Sequence, residues 1–286
     1  MATIRLILFR LGHLGFLIAS CGFSFVYFFN VLTGHPRAFL GPILAFLTVF
    51  VVYNFDHLRD SHGFDRASTP ERARYMIRYE KVFRGLIAAS GAGYLALAAA
   101  FRPWALAIGA FYALSGGLYV LPFLPGPRIR RLKDIPFFKN VYVPACWLIL
   151  ILYSKADWHS FGAAERLGMG FLFPRLIVSV ATGDIRDQHG DSAANLRTIA
   201  TALGGRGAMY LLQSLNVLSV AWIAFACLRG YWPMAALTMI GPVLYIVGLL
   251  AVMGRYPSQG EFVSEIFDFE LISYGPLMLL ATLAAR

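Results

Sequence analysis

Residues 184–191 read DIRDQHGD, and they follow directly on an apolar run that covers 161–184. Asp184, Asp187 and Asp191 stand at positions i, i+3 and i+7, so they share one face if the helix continues through them. A run of this length can cross a bilayer, which needs about 20 apolar residues. The stretch therefore predicts a membrane helix that ends in three carboxylates.

A second acidic stretch ends another apolar run in the same way. Residues 54–60 read NFDHLRD and close the run 38–56. Asp56 and Asp60 are four residues apart, so they also lie on one face of a continuing helix. The two stretches predict two membrane helices whose polar ends carry matching carboxylates.

The rest of the chain has the composition of a membrane protein. Of its 286 residues, 58% are hydrophobic and only 14% are charged, with a mean hydropathy of +0.64. Soluble domains carry about 25% charged residues, and disordered chains are less hydrophobic, so both classes are excluded. We expect an all-α, polytopic membrane protein with a single domain over 1–286. Nine apolar runs predict nine transmembrane helices: 13–34, 38–56, 82–101, 104–122, 140–158, 161–184, 207–228, 231–254 and 266–285.

Lysine and arginine are distributed unevenly between the two sides of the predicted bundle. With nine spans, eighteen of the 25 basic residues fall on the side that holds the N-terminus and the longer loops. Cytoplasmic loops of membrane proteins carry such an excess. We therefore expect a multi-pass integral membrane protein (of the inner membrane in a bacterium) whose N-terminus and acidic stretches are cytoplasmic. Topology also explains the net charge of +10, so we expect no nucleic-acid partner.

The chemistry of the acidic stretches points to a divalent cation. Carboxylates close together at a membrane boundary repel one another and are costly to desolvate, so a compensating charge is expected. Carboxylate oxygens suit Mg²⁺, which keeps several waters and bridges a few carboxylates to substrate phosphates. We therefore expect a diphosphate held between the two helix ends. The expected metal ligands are Asp56, Asp60, Asp184, Asp187 and Asp191.

A plainer interpretation treats these acids as solvated carboxylates paired with Arg59, Arg66, Arg186 and Arg197. A single Asp-x-x-x-Asp pair at a protein surface commonly does nothing more. The chain has only 15 acidic residues, however, and two such sets lie at one membrane face. That coincidence favours the metal site.

Two patches of the sequence resemble one family of membrane enzymes. The more specific patch is 187–198, DQHGDSAANLRT, in which Asn195 stands where the family carries glycine. The weaker patch begins at Tyr119 and continues through the basic segment 132–140, LKDIPFFKN. With nine spans and acidic stretches at the ends of the second and sixth, the chain is similar to the UbiA superfamily of intramembrane prenyltransferases.

The first acidic stretch departs from the pattern of that family, which is Asn-x-x-x-Asp-x-x-x-Asp. When Asp56 and Asp60 are placed on the two aspartates, Val52 stands where the asparagine belongs. Asn54 lies two residues further on, about 200° around a helix from that position. The resemblance therefore indicates a divergent member.

The resemblance implies Mg²⁺-dependent ionisation of a polyprenyl diphosphate and transfer of its prenyl group to an apolar or aromatic acceptor in the lipid bilayer. It implies a catalytic, metal-holding role for Asp56, Asp60, Asp187 and Asp191. The candidates for substrate contact are Asn54, Arg59, Lys133, Arg197 and Tyr119, of which Lys133 fits the family best. Tyr119 is also a candidate for cation–π stabilisation of the allyl cation.

Three other functions stay open at the level of sequence. A membrane terpene cyclase would use the same ionisation without an external acceptor. A transporter of cations or lipids would also carry intramembrane acids, although these would be expected nearer the mid-plane. The displaced asparagine is also compatible with a relative that binds lipid diphosphates without turnover.

Overall fold

The computed structural model describes residues 10–63, 69–122, 124–125, 131–155, 161–193, 196–255 and 260–285. Within these ranges the secondary structure is entirely helical. The α-helices are α1 (Phe16–Leu32), α2 (Leu40–Asp60), α3 (Pro70–Arg78), α4 (Glu80–Phe101), α5 (Ala105–Val120), α6 (Phe138–Ile149), α7 (Ala163–Ala193), α8 (Ile199–Leu228), α9 (Ile240–Arg255) and α10 (Gly260–Ala284). Short 3₁₀ helices cover Leu132–Asp134, Leu150–Ser154 and Met234–Met239.

Six helical segments are long and apolar enough to cross a membrane. They are Leu40–Asp60, Glu80–Phe101, Ala163–Gln188, Ile199–Leu228, Met234–Arg255 and Ile266–Ala284. Three more apolar helices are shorter: Phe16–Leu32, Ala105–Tyr119 and Phe138–Ser154. Every predicted apolar run falls on one of these segments. The all-helical, multi-span class is thus confirmed, while the count of nine crossings stays a prediction.

Local sequence explains where several helices begin. Gly15 precedes α1 with a φ of 69°, a left-handed conformation that glycine adopts without steric cost. Pro70 opens α3 in the first turn, where its missing N–H removes no helical hydrogen bond. Thr198 caps α8, and its hydroxyl accepts a hydrogen bond from the backbone N–H of Thr201. The patch 187–198, which carries the more specific family resemblance, therefore ends at the residue that caps α8.

The helices pack in a ring that largely follows the order of the chain. α1 packs against α2, and α2 packs against α4 and α5. The 3₁₀ helix Leu132–Asp134 joins α5 to α6, and α6 packs against α7. α7 contacts α8, α8 contacts α9, and α9 contacts α10, which packs extensively on α1. The ring is thereby closed around an interior cavity.

A buried ion pair holds one side of this ring together. Arg175 of α7 and Glu270 of α10 are both essentially inaccessible to solvent, with Nε donating to Oε1 over 2.5 Å. Nη1 of Arg175 also donates to the Asn216 amide oxygen on α8, and the Tyr274 hydroxyl donates to Glu270 over 2.5 Å. An ionised group at this depth is tolerated only when it is paired, so the cluster ties three helices to one another.

Candidate active site

The interior cavity has a volume of about 690 Å³, and the polar ends of α2 and α7 form one end of its lining. We call this the acidic end, because Asp56 and Asp60 of α2 and Asp187 of α7 all line the cavity there. The three carboxylates come from the two stretches singled out in the sequence. The structure therefore brings the ends of α2 and α7 together around one space.

Asp187 is held by the arginine beside it. Arg186 donates from Nε to Oδ1 over 2.8 Å and from Nη2 to Oδ2 over 2.6 Å, which makes a bidentate pair. Arg186 itself lines the cavity. The end of α7 thus presents a carboxylate and a guanidinium side by side. When an anion arrives together with a cation, the anion can bind the guanidinium while the cation binds the carboxylate.

Asp184 lies one turn deeper on α7 and has a different environment. Its side chain is fully buried, and it is not among the residues that line the cavity. Lys139 Nζ lies 2.7 Å from Oδ1, and the Asn140 side-chain amide donates to Oδ2 over 2.6 Å. Lys139 does line the cavity. Asp184 therefore anchors a lysine whose charge reaches the site.

Asp191 lies beyond the apolar span, which ends at Gln188. It is 2% exposed, and its Oδ2 has no hydrogen-bond partner within the part of the chain that the structure describes. Burial raises the pKa of this carboxyl to about 6, and the charges of Asp184 and Asp187 add to the rise while Lys139 opposes it. Asp191 does not line the cavity. It lies about one helical turn beyond Asp187 on α7.

Of the predicted substrate-binding residues, Tyr119 lies in the cavity wall. Its ring stacks on that of Tyr142, with centroids 5.6 Å apart and planes 6° from parallel. Arg59 and Arg197 are exposed and are not part of the lining. The backbone of Lys133 lies in the 3₁₀ helix after α5, and its side chain is outside the described part of the structure.

Asn54 is turned away from the cavity. It is fully buried, and its amide nitrogen donates to the backbone oxygens of Leu14 (3.2 Å) and Phe50 (2.9 Å). Gly15 packs so closely that a Cβ there would lie 2.6 Å from this nitrogen. The contacts of Asn54 thus join α2 to the segment that precedes α1, which is a structural role.

Four charged residues of the cavity lining were not among the predicted site residues: Arg72, Lys139, Arg186 and Asp268. Arg186 lies within the second acidic stretch, and Lys139 stands in the basic segment 132–140, where the family resemblance favours Lys133. Arg72 lies on α3, which follows α2 and contacts it. Asp268 lies on α10, far from both acidic stretches in the sequence. No local spacing connects Arg72 or Asp268 to the site.

The deeper part of the cavity is lined by aromatic and aliphatic side chains. Trp147 donates from Nε1 to the Tyr53 hydroxyl over 2.9 Å, and the two rings lie 6.1 Å apart in an edge-to-face arrangement. Tyr112 donates to the backbone oxygen of Cys146 over 2.5 Å. Since the hydroxyls are already bonded, these side chains present mainly ring surface and aliphatic surface to the cavity. Such a wall excludes water and is electron-rich.

The donor set fits Mg²⁺ in the type of its ligand atoms. Asp56, Asp60 and Asp187 offer carboxylate oxygens, the ligands that this ion prefers. Within the described ranges, however, no three His, Cys, Asp or Glu side chains lie close enough together to share one ion. The described part of the chain therefore forms no closed metal cage by itself. A diphosphate and water would have to supply the other ligands, which is how Mg²⁺ is ordinarily bound beside phosphates.

Comparison with known proteins bears on the family and the fold. The model of the UbiA prenyltransferase family matches residues 55–263, which include Asp56, Asp60 and the whole of the second acidic stretch. A solved structure from work on digeranylgeranylglyceryl phosphate synthase in membranes has the same fold, with a TM-score of 0.54. It is 16% identical in sequence, and the alignment covers 99% of this chain and 98% of that one. The chain has no match among curated proteins.

Proposed function

The chain belongs to the UbiA prenyltransferase family, and from this premise we propose that it transfers a prenyl group from a polyprenyl diphosphate to an acceptor within the membrane. One observation carries the proposal: carboxylates from the ends of both α2 and α7 line one end of a single cavity whose other walls are largely aromatic and apolar. A polyprenyl diphosphate carries a charged diphosphate and an apolar prenyl chain, and these two parts match the two environments.

We propose that Asp56, Asp60 and Asp187 hold Mg²⁺ at the acidic end, with Asp191 about one helical turn beyond Asp187. When bound, the ion would withdraw charge from the diphosphate and make it a better leaving group. Asp184, which already contacts Lys139 and Asn140, serves to position Lys139 rather than to bind the metal.

Three cationic side chains line the same cavity: Arg72, Lys139 and Arg186. We propose that they bind the oxygens of the diphosphate and stabilise the charge that develops as the carbon–oxygen bond breaks. Arg186 would exchange its bond with Asp187 for one to the diphosphate. The direct substrate contacts expected of Arg59 and Arg197 are not part of this proposal, because both side chains are exposed outside the cavity lining.

Below the diphosphate, Tyr53, Tyr119 and Trp147 would face the allyl group. Their rings stabilise a developing allyl cation and keep water from capturing it. The acceptor forms a bond to the first prenyl carbon and loses a proton. Asp268 lines this cavity and belongs to neither acidic stretch, so we assign it the role of proton acceptor.

The membrane orientation is part of the proposal. The basic excess on the side of the acidic stretches supports a cytoplasmic position for the acidic end of the cavity. A soluble diphosphate would then enter from the cytoplasm, and an apolar or aromatic acceptor would come from the bilayer.

The test uses the purified chain in phosphatidylcholine nanodiscs with farnesyl diphosphate, MgCl₂ and a total lipid extract as the source of acceptor. We expect Mg²⁺-dependent release of pyrophosphate and a product whose mass is that of a lipid plus a prenyl group. Asp56→Asn and Asp187→Asn should abolish both, while Glu80→Gln, outside the cavity, should leave them unchanged. A cyclised hydrocarbon as the sole product would instead indicate a terpene cyclase.

A further inference from the structure

The cavity lining ends about 12–18 Å below the carboxylates of α2 and α7. On α2 the lining extends from Asp60 inward to Thr48, and on α7 it extends from Asp187 inward to Ser179. Asp56 and Asp187 are each eight residues from the deepest lining residue of their helix, about 12 Å along the axis, and Asp60 is twelve residues, about 18 Å, from Thr48. Beyond α6 the lining reaches Leu150, the first residue of the following 3₁₀ helix, about 16 Å from Lys139 by the same rise per residue.

A chain of hydrogen-bonded hydroxyl groups closes the space beneath this level. The Tyr153 hydroxyl lies 3.0 Å from Thr48 Oγ1 and 2.9 Å from the Tyr94 hydroxyl. Tyr94 in turn donates to the backbone oxygen of Ala105. Tyr153 is fully buried and Tyr94 is 7% exposed. The chain links α4, α2 and the 3₁₀ helix after α6, and we call it the tyrosine floor (Thr48, Tyr94 and Tyr153).

Close packing fixes the tyrosine floor in place. A Cβ on Gly109 would lie 2.5 Å from the Tyr94 ring, so the ring rests directly on the backbone of α5. A Cβ on Gly41 would lie 2.2 Å from the backbone oxygen of Tyr153. Arg102 also donates to that oxygen over 2.5 Å. Neither tyrosine can swing aside without breaking these contacts.

α1 and α10 pack closely against each other around Ser24. Ser24 on α1 donates to the backbone oxygen of Ile272 over 2.7 Å and accepts from the backbone N–H of Gly275 over 3.0 Å. A Cβ on Gly275 would lie 2.7 Å from the Ser24 hydroxyl oxygen. The two helices therefore approach to backbone contact at Ser24 and Gly275, residues that are not part of the cavity lining.

From these dimensions we infer that the preferred donor carries two or three isoprene units. The inference rests on the proposed function, since it places the diphosphate at the acidic end. An isoprene unit adds four chain bonds of about 1.5 Å, which extend over roughly 5 Å. A depth of about 12–18 Å therefore holds a geranyl or a farnesyl chain below the diphosphate. A fourth unit would meet the tyrosine floor.

The test measures Mg²⁺-dependent binding of unreactive thiodiphosphate analogues with two, three, four and six isoprene units to the chain in nanodiscs. Binding needs no acceptor, so the unknown second substrate does not affect the result. We expect the two- or three-unit analogue to bind most tightly and the four-unit analogue to bind at least tenfold more weakly. Equal or tighter binding of the four- and six-unit analogues would overturn the inference.

Two variants at the bottom of the cavity should shift the preferred length of the bound prenyl chain in opposite directions. Leu150→Ala opens space beside the tyrosine floor and should narrow the gap between three and four units to less than threefold. Thr48→Leu fills the bottom and should weaken the three-unit analogue while sparing the two-unit one. Leu114→Ala, on the exposed face of α5, is the control and should change neither. An unchanged chain-length profile in both folded variants would contradict the inference.

Failure of the inference and failure of the proposed function give different results. If no analogue of any length binds with a requirement for Mg²⁺, the proposed function is wrong. If all lengths bind equally and require Mg²⁺, the function stands and only the assignment of the floor is wrong. The wild-type profile suffices for this distinction even where a variant fails to fold.

Discussion

Lys139 Nζ lies 2.7 Å from Asp184 Oδ1 and thereby joins the first turn of α6 to α7. The lysine lines the cavity, while the aspartate is fully buried behind it. The pair thus holds a positive charge at the acidic end with a carboxylate that does not itself face the substrate. An ion pair of this kind prepares the site for an anion before the substrate arrives.

Replacing Lys139 by methionine should weaken use of the donor diphosphate. A hydrogen bond to a charged group contributes about 1.5–3 kcal/mol, and a factor of ten corresponds to about 1.4 kcal/mol. We expect kcat/KM for the donor to fall by roughly ten- to a hundredfold. Lys81→Met, on the exposed start of α4, is the matched control. Both variants would be compared by steady-state kinetics. Equal values of kcat/KM for the donor in the two variants would show that Lys139 does not contribute to binding the diphosphate.

Arg72 and Arg74 lie on the same short helix but differ in position. Arg72 lines the cavity, whereas Arg74 is exposed and donates to the backbone oxygen of Pro70. Arg72→Gln should therefore raise KM for the donor about tenfold or more, since it removes a cation from the diphosphate site. Arg74→Gln should leave KM unchanged. Equal effects of the two substitutions would show that α3 acts only through general surface charge.

Asp268→Asn should separate donor binding from transfer. Asparagine keeps the size of the side chain but cannot accept a proton, and a general base contributes about 10²–10⁴-fold in rate. We expect the affinity for a thiodiphosphate analogue to stay within about twofold and product formation to fall by at least about a hundredfold. Asp268→Glu should recover part of the rate. Transfer at the wild-type rate by Asp268→Asn would exclude this assignment.

The ion pair between Arg175 and Glu270 should stabilise the fold without a part in the chemistry. Removing one partner leaves a buried charge uncompensated and costs about 3–5 kcal/mol of unfolding free energy. Arg175→Met should show this loss in reversible unfolding in mixed micelles. The double variant Arg175→Met/Glu270→Leu should lose less than either single variant. If the two losses simply add, the pair is not coupled as the structure indicates.

The fold was largely predictable from hydropathy. Apolar runs mark the helices well because a membrane segment must satisfy its backbone hydrogen bonds internally, and a helix does so within one run. Hydropathy predicts the length of each helix less well, because three of the nine apolar runs form helices of 17 residues or fewer. Whether Phe16–Leu32, Ala105–Tyr119 and Phe138–Ser154 cross fully depends on the bilayer around them.

The site was predictable where helical spacing determines it. Asp56, Asp60 and Asp187 line one cavity because each stands at the end of an apolar run on a face set by the helical repeat. The same repeat predicts that Asp184 lies beside them as a metal ligand. In the structure Asp184 instead contacts α6, while Asp187 on the same broad helix face lines the cavity. Spacing alone does not resolve neighbours on one face.

The remaining site residues depend on tertiary packing. Lys139 reaches the cavity because a turn precedes α6, where Phe137 has a φ of 58° and donates its N–H to the backbone oxygen of Arg197. Arg72 and Asp268 reach the site only through the packing of α3 on α2 and of α10 on α1. No pattern in the local sequence encodes those contacts.

The central claim is that carboxylates from the ends of α2 and α7 jointly bind a Mg²⁺–diphosphate head group. The most direct measurement is calorimetric titration of the chain in nanodiscs with farnesyl thiodiphosphate, with MgCl₂ and with EDTA. Binding should require Mg²⁺, and it should be lost in both Asp56→Asn and Asp187→Asn but kept in Glu80→Gln. Binding of equal affinity in EDTA, or undiminished binding by either aspartate variant, would contradict the claim.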